Sequence, residues 1–486
     1  MKNIGLFFFI GWLTLSCTHQ SPKQPLENSR QSDKPNIILF VSDDHGTDAI
    51  GAYGNPIIKT PNMDRLAAEG ALFTNAYCTS ASCAASRSVI LTGRFGHATG
   101  SYGHTHDYHH FSTFEGTPSL PVLLDSAGYH TARIGKYHLA PESVYAFNTV
   151  LKENERSTVQ MANKCKEVID SEEPFFLYFC TGDPHRGNPF TPDTWDAPNN
   201  FGNRPEGYEG VAEVNYSPEE VLVPDFIPDT KESRAELAQY YQSVSRIDQG
   251  LGRLMELVEL AGKSDNTIII YISDNGIAFP GAKTTLYEPG IKLPCIVKDP
   301  RQDKIGVINK SLISWVDLTP TLLDMAQVKY EDNAFHGRSF AGAIIEEDTT
   351  RKHIYASHTF HEITMYYPMR SMRSGRYKLI YNMAYQLDYP FASDLWASST
   401  WQSIYRNAVP TYGKRSVKDY LQRAEFELYD LQTDPDEINN LAASADHQAL
   451  LTDMKADLKE FQLQTRDPWI IMWDHDASMQ GKGTGL

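Results

Sequence analysis

Short apolar runs alternate with longer amphipathic stretches along most of the chain. The runs at 36–41, 174–180 and 267–272 are largely apolar, which is typical of strands that are buried on both faces of a sheet. Between them lie segments in which apolar residues recur at helical spacing. This alternation predicts an α/β fold in which a large, mainly parallel mixed sheet is flanked by helices.

The predicted helices carry recognisable start and stop residues. Helices are expected directly after Thr60, from Ala84, after Ser119 and from Ser233. In the longest of them, Ser233 and Glu236 have the spacing of a capping box, and Gly262 marks the end.

After about residue 350 the pattern changes to closely spaced strands. Strands are predicted at 353–359, 367–373, 377–381 and 426–430, with a hairpin turn at 373–376 and a helix over 447–462. We therefore expect a main domain at 35–350 and a smaller C-terminal domain at 351–486, built from an antiparallel sheet with a helix packed on it.

The first residues predict an export signal. Residues 1–3 are short and basic, and residues 4–15 are mostly apolar but too few to cross a bilayer as a stable helix. The stretch ends at Cys17 in a sequence that resembles a bacterial lipoprotein box, so residues 1–17 are predicted to be a lipoprotein-type signal with Cys17 lipidated. An ordinary cleaved signal is the alternative. Residues 18–34 have the composition of a flexible tether.

These features predict an exported bacterial protein, either periplasmic or anchored at the outer membrane, that meets the membrane only through its lipid. The formal charge of −17 does not favour polyanions at long range, so no nucleic-acid partner is expected. Four of the six cysteines, apart from Cys17 and Cys83, show no close spacing, and we expect free thiols. The sequence leaves monomer and homodimer both open.

Polar side chains follow several of the predicted strands. Asp43-Asp44, His185 and Asp274-Asn275 each come after a separate apolar run. Because ligands of open α/β sheets bind at the carboxyl ends of the strands, these residues are expected to meet. Carboxylate and amide oxygens suit calcium or magnesium rather than zinc. Each pair, taken alone, is also typical of a turn.

Cys83 begins the run Cys83-Ala84-Ala85-Ser86-Arg87, which Thr92-Gly93 follows one helical stretch later. This run resembles the sulfatase signature, in which the cysteine is oxidised after translation to formylglycine. The signature usually has proline where Ala85 stands, and alanine is a tolerated variant. A buried structural cysteine is the alternative interpretation.

Further stretches resemble the sulfatase family of the alkaline-phosphatase superfamily, in the family's order: 43–44, 135–138, 183–185, 273–276, 317–321 and 428–431. Within that family the likeness is strongest to the sulfamidases, the heparan N-sulfatases. The stretches that carry it are 109–111, 141–145, 183–186, 221–226, 364–370 and 467–469. The resemblance runs from Pro35 to the C-terminal helix and implies an alkaline-phosphatase-like fold with residues 35–350 as its catalytic domain.

The resemblance implies one bound ion and one modified residue. The ion is expected to be calcium rather than magnesium, with Asp43, Asp44, Asp274, Asn275 and the modified Cys83 as ligands. A formylglycine-generating maturation enzyme is an implied partner. The hydrated aldehyde has two hydroxyls, of which one attacks sulfur and the other later expels the sulfate.

The same resemblance implies catalytic roles around the ion. Arg87 would hold the diol or the ion-bound acids, and Lys136 and Lys283 would neutralise sulfate oxygens. The implied proton carriers are His138 for collapse of the sulfate ester, His185 for the leaving nitrogen and Asp274 for the attacking hydroxyl.

Substrate binding is expected from His185, Arg186 and Lys283 near the sulfate and from His361, Glu362 and Arg370 near the sugar. Glu362 would accept hydrogen bonds from ring hydroxyls, and Arg370 would meet a uronate or hold Glu362. A plain ion pair between those two is the alternative. Sulfamidases usually have arginine where Lys283 stands, so one contact of that family is altered. His104, His106, His109 and His110 are interpreted as loop residues, and a metal site there is not expected.

Together these implications predict an exo-acting sulfatase that removes the N-sulfate of terminal glucosamine in oligosaccharides of heparan sulfate or heparin, which are sulfated glycosaminoglycans. The alternatives are an O-sulfatase for 6-O-sulfated glucosamine or another glycan, a phosphoesterase of the same superfamily, and an inactive glycan-binding lipoprotein. A phosphoesterase would use threonine or serine and two transition metals, which Cys83 and a single set of oxygen ligands argue against.

Overall fold

The structure, a computed structural model, describes residues 34–187 and 200–474 together with Met1. The predicted signal peptide, the lipidated Cys17 and nearly all of the predicted tether lie outside these residues.

Sixteen strands occur in the described residues. They are β1 Asn36–Ser42, β2 Ala71–Phe73, β3 Ala76–Tyr77, β4 His130–Gly135, β5 Thr149–Leu151, β6 Phe175–Cys180, β7 Thr267–Ser273, β8 Cys295–Lys298, β9 Val307–Asn309, β10 Ile313–Ser314, β11 Ile354–His358, β12 Met369–Arg373, β13 Tyr377–Asn382, β14 Thr411–Tyr412, β15 Arg415–Ser416 and β16 Phe426–Asp430.

Eight of these strands form the large sheet, in the order β5-β4-β6-β1-β7-β8-β2-β9. The five from β5 to β7 are mutually parallel, β8 runs antiparallel to both of its neighbours, and β9 pairs in parallel with β2. This confirms the predicted mainly parallel mixed sheet. The three long apolar runs of the sequence are β6, β1 and β7, which lie side by side at its centre.

Thirteen α-helices flank the strands in the described part of the chain. They are α1 Pro61–Ala68, α2 Cys83–Thr92, α3 Gly96–Thr99, α4 Leu120–Ser126, α5 Thr158–Lys164, α6 Lys166–Asp170, α7 Lys231–Leu260, α8 Glu288–Ile291, α9 Leu318–Met325, α10 Ser393–Trp396, α11 Ser399–Arg406, α12 Val417–Leu421 and α13 Gln448–Gln464. None of the helices that the structure describes is long and apolar enough to cross a membrane.

The start of α7 differs from the capping box expected at Ser233 and Glu236. The helix begins at Lys231, and the hydroxyl oxygen of Thr230 accepts a hydrogen bond from the backbone N–H of Ser233 at 3.2 Å. Thr230 therefore takes the N-cap role, one turn earlier than expected. Glu236 is instead buried and binds the guanidinium of Arg186.

The alternation of side chains along the central strands explains why helices cover both faces of the sheet. In β1, Ile37, Leu39 and Val41 join one apolar cluster, and Ile38 and Phe40 join another. Successive strand residues point to opposite faces, so both faces need apolar partners. The long helix α7 contributes to both clusters, because its first half packs in one and its second half in the other.

The C-terminal region has the expected antiparallel sheet, in the order β11-β12-β13-β16. The predicted turn joins β12 to β13, where the backbone N–H of Ser374 donates to the carbonyl of Tyr377. Helix α13 packs its buried residues Leu451, Met454 and Leu458 in the same cluster as Leu379 of β13. The described residues from Lys34 onward belong to one compact unit, and the boundary predicted at residue 350 stays a prediction.

Candidate active site

Four neighbouring parallel strands, β4, β6, β1 and β7, bring the predicted polar residues to one edge of the sheet. Lys136 directly follows β4, Asp43 and Asp44 follow β1, and Asp274 follows β7. Gly135 makes the first of these placements possible, because a Cβ there would lie 1.9 Å from the carbonyl oxygen of Cys180. Strand order and chain direction thus assemble the site that the sequence predicted at the strand ends.

Asp43 lies between two cations. One of its carboxylate oxygens, Oδ2, accepts a hydrogen bond from Lys136 Nζ, and the other, Oδ1, lies 3.9 Å from the guanidinium of Arg87. Burial raises the pKa of Asp43, but Lys136, His185 and Arg87 outweigh it and hold that pKa well below its usual value. Asp43 is therefore ionised, and its Oδ1 has no hydrogen-bond partner among the described residues.

Asp44 turns the chain back over the sheet edge with a φ of 65°, a conformation that is uncommon for a residue other than glycine. Its Oδ1 accepts from Asn275 Nδ2 at 2.6 Å and its Oδ2 from Lys283 Nζ at 2.9 Å. Burial raises the pKa of Asp44 to about 6, against the opposing charge of Lys283.

Asp274 is held by hydrogen bonds on both of its oxygens. Its Oδ1 accepts from the backbone N–H groups of Asp44 and Asn275 at 3.1 and 2.8 Å, and its Oδ2 accepts from Arg87 Nε at 2.9 Å. Burial raises its pKa to about 7, although Arg87 opposes the shift. Asp274 thus holds Asp44 and Arg87 in place. The neighbouring Asn275 has a buried oxygen, Oδ1, without a hydrogen-bond partner among the described residues.

Cys83 is the first residue of α2 and is completely buried. Burial raises the pKa of its thiol well above the usual value, so the unmodified side chain stays protonated at neutral pH. The preceding residue, Ser82, shares a hydrogen bond of 2.9 Å with Nδ1 of His361. The helix start is therefore tied to the loop that follows β11.

Asp43, Asp44 and Cys83 lie close enough to share an ion, since one ligand atom from each lies within 4.8 Å of the others. The residues fit a hard cation, because the two unpaired buried oxygens, Asp43 Oδ1 and Asn275 Oδ1, need an electron-pair acceptor. Leaving such an atom without a partner costs about 1–3 kcal/mol. The set of oxygen donors agrees with the predicted preference for calcium or magnesium over zinc.

Asp394, at the start of α10, completes the site and was missed by the sequence analysis. Its Oδ2 accepts from Lys283 Nζ at 2.8 Å and lies 3.7 Å from His185 Nε2. His185 also lies 3.7 Å from Asp44 Oδ2, and its Nδ1 donates to the carbonyl of Arg186 at 2.7 Å. No motif surrounds Asp394, and only the folded chain brings it to Lys283 and His185.

His138 lies beside Lys136, in a positive-φ conformation of 53°. Its Nδ1 is buried without a hydrogen-bond partner in the part of the chain that the structure describes. Burial and the charge of Lys136 lower its pKa well below the usual value, so the imidazole is neutral. Its ring centroid is 4.5 Å from that of His106, a residue for which the sequence predicted no role.

Two of the residues expected to bind substrate lie in buried ion pairs. The guanidinium of Arg186 is buried and binds Glu236 at 2.7 Å and the carbonyl of Ala278, so it braces the loop after β6. Arg370 is completely buried and forms a two-point ion pair with Asp467. It neither holds Glu362 nor has an accessible N–H for a uronate.

Glu362 and His361 remain candidates for sugar contacts. Glu362 is half-buried, and its Oε1 accepts from the backbone N–H of Ser393 at 2.9 Å as well as from the Ser393 hydroxyl. Ser393 directly precedes Asp394, so Glu362 supports the segment that carries Asp394. His361 is buried between Ser82 and His104.

Two family models cover the residues of this site. Residues 35–328 match the Sulfatase model, and residues 281–396 match the model described as N-sulphoglucosamine sulphohydrolase, C-terminal. The chain belongs to the sulfatase family. Cys83 and the strand-end residues lie in the first match, and Glu362 and Asp394 lie in the second.

Curated relatives agree with this family. The sulfatase is 36% identical over 463 residues to human N-sulphoglucosamine sulphohydrolase, which covers 90% of this chain and 92% of the relative. It is 27% identical to an N-acetylglucosamine-6-O-sulfatase of Bacteroides thetaiotaomicron, over 90% of this chain and 88% of that one. The chain is therefore an enzyme of the sulfatase class, and the phosphoesterase alternative has no support.

Solved structures share the fold of this sulfatase. A protein in complex with its substrate D-glucosamine-2-N,6-O-disulfate matches with a TM-score of 0.64 at 24% identity, covering 90% of this chain and 99% of that one. A 2-O glycosaminoglycan sulfatase matches with a TM-score of 0.65 at 18% identity, covering 92% and 94%. At these identities the likeness shows the fold.

Proposed function

We propose that this sulfatase is exo-acting and hydrolyses the N-sulfate of terminal glucosamine in oligosaccharides of heparan sulfate or heparin. The observation that carries the proposal is that residues of the segment 281–396 form part of the candidate active site. This segment matches the model described as N-sulphoglucosamine sulphohydrolase, C-terminal, and contributes Lys283 and Asp394, which contact each other at 2.8 Å. The 36% identity to the human enzyme of that name supports the same substrate.

Cys83 is proposed to act as formylglycine, made by a maturation enzyme. The buried and protonated thiol is a poor nucleophile as it stands, which supports a need for modification. In its hydrated form, formylglycine supplies one hydroxyl to attack sulfur and a second to release the sulfate. Arg87, one helical turn further along α2, is held by Asp274 and can support that residue.

A calcium ion is proposed at Asp43, Asp44, Asp274, Asn275 and the modified Cys83, and Asp274 also accepts hydrogen bonds from the backbone N–H groups of Asp44 and Asn275. When bound, calcium neutralises the buried carboxylates and polarises the sulfate. Lys136 and Lys283 bind Asp43 and Asp44 in this structure and would also face the sulfate oxygens.

His185 is proposed to protonate the leaving nitrogen. Its Nδ1 donates to the Arg186 carbonyl, so Nε2 is the nitrogen that takes up a proton beside Asp394. Burial, Lys283 and Lys136 lower the pKa of His185 to about 3. An anionic sulfate between those lysines would offset their charge and raise the pKa, so protonation would accompany substrate binding.

The exposure of the site supports a chain-end substrate. The side chains of Asp44 and Lys283 are fully buried, whereas those of His185 and Asp394 are 27% and 18% exposed to solvent. The site therefore opens beside the proposed acid. The formal charge of −17 does not favour a long polyanion across the surface, which is consistent with a terminal sugar entering a pocket. Export and a lipid anchor at Cys17 are part of the proposal.

The test is to incubate the matured enzyme with N-sulfated glucosamine and with 6-O-sulfated glucosamine, and to measure free sulfate. The proposal predicts release chiefly from the N-sulfated sugar. Release chiefly from the 6-O-sulfated sugar would contradict it. That outcome would favour the second candidate function, a 6-O-sulfatase, for which the 27% identity to the Bacteroides thetaiotaomicron enzyme is the supporting observation.

A further inference from the structure

Three histidines from two loops form a cluster beside the catalytic centre. His104, His106 and His138 each bring one ring nitrogen within 4.8 Å of those of the other two. Ring centroids of His106 lie 4.7 Å from His104 and 4.5 Å from His138. His138 has a proposed catalytic role, but the sulfatase chemistry gives none to His104 or His106.

Each member of this histidine cluster has a nitrogen to spare. The Nδ1 atoms of His104, His106 and His138 are buried and have no hydrogen-bond partner among the described residues. In His104 the other nitrogen, Nε2, is 3.0 Å from Nε2 of His361, and in His106 it is 3.6 Å from a carboxylate oxygen of Asp107. Metal-binding histidines are typically oriented in this way, by a partner on the second ring nitrogen.

The protonation state of the cluster suits a metal ion. Burial lowers the pKa of His104 to about 2 and also lowers the pKa values of His106 and His138, so the three imidazoles are neutral. Three nearby cations, Lys136, Lys283 and Arg87, oppose a metal ion, and each is already paired with a buried carboxylate. Asp107 provides a negative charge next to His106.

We propose that His104, His106 and His138 form a binding site for a borderline transition-metal ion such as Zn²⁺ or Co²⁺, separate from the oxygen site at Asp43 and Asp44. Three imidazole nitrogens with a fourth position for water match the ligand number that such ions use outside purely structural sites. They do not suit calcium, which takes oxygen ligands. The ion would occupy His138, so binding would also remove a catalytic group and inhibit the enzyme.

Titration of the full chain with Co²⁺, in buffer with excess calcium, tests the site without relying on activity. The proposal predicts one saturable Co²⁺ per chain with the strong visible absorption of a four-coordinate complex. The variant His106→Gln should weaken this binding at least about tenfold, since even supporting changes at metal sites cost about 10–100-fold. His110→Gln removes an exposed histidine of the same loop and should bind Co²⁺ like the wild type.

A second measurement needs no variant. Saturating Zn²⁺ should protect His106, whose side chain is 39% exposed, from modification by diethyl pyrocarbonate in the wild type, read by peptide mass spectrometry. Zn²⁺ should also inhibit sulfate release by the wild type more than by His106→Gln. This is the one measurement of the set that depends on the proposed function; the Co²⁺ titration and the protection experiment do not. Three results would overturn the proposal. They are a Co²⁺ spectrum with no more than the weak absorption of a six-coordinate complex, equal Co²⁺ binding by His106→Gln and the wild type, and modification of His106 that Zn²⁺ does not reduce.

Discussion

Two regions of the molecule bury the same types of charged side chain but differ in whether the buried polar atoms have hydrogen-bond partners. Under the C-terminal sheet, Asp467 accepts from Arg370, Gln462 and the backbone of Trp469, and both of its oxygens are occupied. At the strand ends, Asp43 and Asn275 are as deeply buried, yet each keeps an oxygen without a partner. Folding closes the first network completely and leaves the second ready for an ion and a substrate.

In this comparison it is the unpaired oxygens of Asp43 and Asn275, and not buried charge as such, that distinguish the strand-end site from the Arg370–Asp467 pair. A buried pair such as Arg370 with Asp467 is costly to break but adds no binding capacity. A free oxygen such as Asp43 Oδ1 costs stability unless a ligand satisfies it. Arg370 was expected to touch substrate because of its sequence neighbourhood, but in this structure its N–H groups donate to Asp467 and to backbone carbonyls.

The largest expected effect comes from Cys83→Ala, which removes the proposed nucleophile from the strand-end site. Turnover should fall by at least about 10⁴-fold, since loss of a nucleophile in a concerted site costs that much or more. Cys83→Ser should at most trap sulfate, because serine lacks the second hydroxyl. Cys165→Ala, a buried free cysteine in another core cluster, is the matched control and should keep full turnover.

Peptide mass spectrometry on the native protein accompanies this prediction. Residue 83 should carry the mass of formylglycine. An unmodified cysteine in protein that came from a host with the maturation enzyme, or sustained turnover by Cys83→Ala, would favour the inactive glycan-binding alternative or a different nucleophile.

Asp43→Asn and removal of divalent ions by a chelator should each lower turnover by about 10²–10³-fold, because the electrostatic stabilisation of the reacting sulfate is lost. Steady-state rates with and without added calcium provide the measurement. Asp248→Asn is the matched control, since Asp248 is equally buried but its carboxylate accepts hydrogen bonds from the backbone N–H groups of Asn62 and Met63. Unchanged rates in excess chelator would contradict the ion site.

Asp467→Asn should act on stability instead, lowering the free energy of unfolding by about 3–5 kcal/mol, because Arg370 is left buried without a counter-charge. Denaturant unfolding measures this loss, and the exposed Asp170→Asn, which breaks the pair with Lys166, should change almost nothing. A sulfate-release rate per folded molecule that drops as far as in Asp43→Asn would mean that Arg370 serves the site after all.

The same pair has a defined pH dependence. Burial raises the pKa of Asp467, but Arg370 and its hydrogen bonds outweigh burial and lower that pKa from an ordinary 3.8 to about 2. A carboxyl group whose folded pKa is depressed stabilises the protein above the unfolded pKa and loses this effect as the pH falls through the folded value. The difference between wild type and Asp467→Asn should therefore be constant above about pH 5 and shrink below pH 4.

The smallest expected effect is on specificity. Glu362→Ala removes a carboxylate that is proposed to accept hydrogen bonds from ring hydroxyls of the sugar, so it should reduce kcat/KM for N-sulfoglucosamine about 5- to 150-fold, the loss of one or two hydrogen bonds. A small aryl sulfate, which makes no sugar contacts, should lose much less. Glu219→Ala, whose carboxylate also binds a serine, Ser217, is the control. Equal losses on both substrates would assign Glu362 to the fold.

Much of the fold could be predicted because strand and helix periodicity are local signals. The runs that became β1, β6 and β7 are apolar from end to end, and their polar ends marked the site. The capping of α7 was predicted one turn late, because Thr230, Ser233 and Glu236 are all suitable local candidates. Only the buried ion pair of Glu236 with Arg186 decides between them.

The site was less predictable where contacts join distant segments. Asp394 contacts Lys283, which lies 111 residues away in the sequence, and no sequence pattern at either position predicts the contact. His104 and His106 had been interpreted as loop residues, and only the folded chain shows that they lie beside His138. Pairings of this kind depend on tertiary packing, which residue types along the chain do not specify.

The central claim is that the unpaired oxygens at the strand ends bind a divalent cation, and calcium-dependent unfolding tests it most directly. After chelation and dialysis, added calcium should raise the unfolding midpoint of the wild type progressively, since a ligand bound only by the folded state stabilises it. Asp467→Asn should start from a lower midpoint and show the same rise, whereas Asp43→Asn should show almost none. A wild-type midpoint that does not respond to calcium, or an equal rise in Asp43→Asn, would contradict the account.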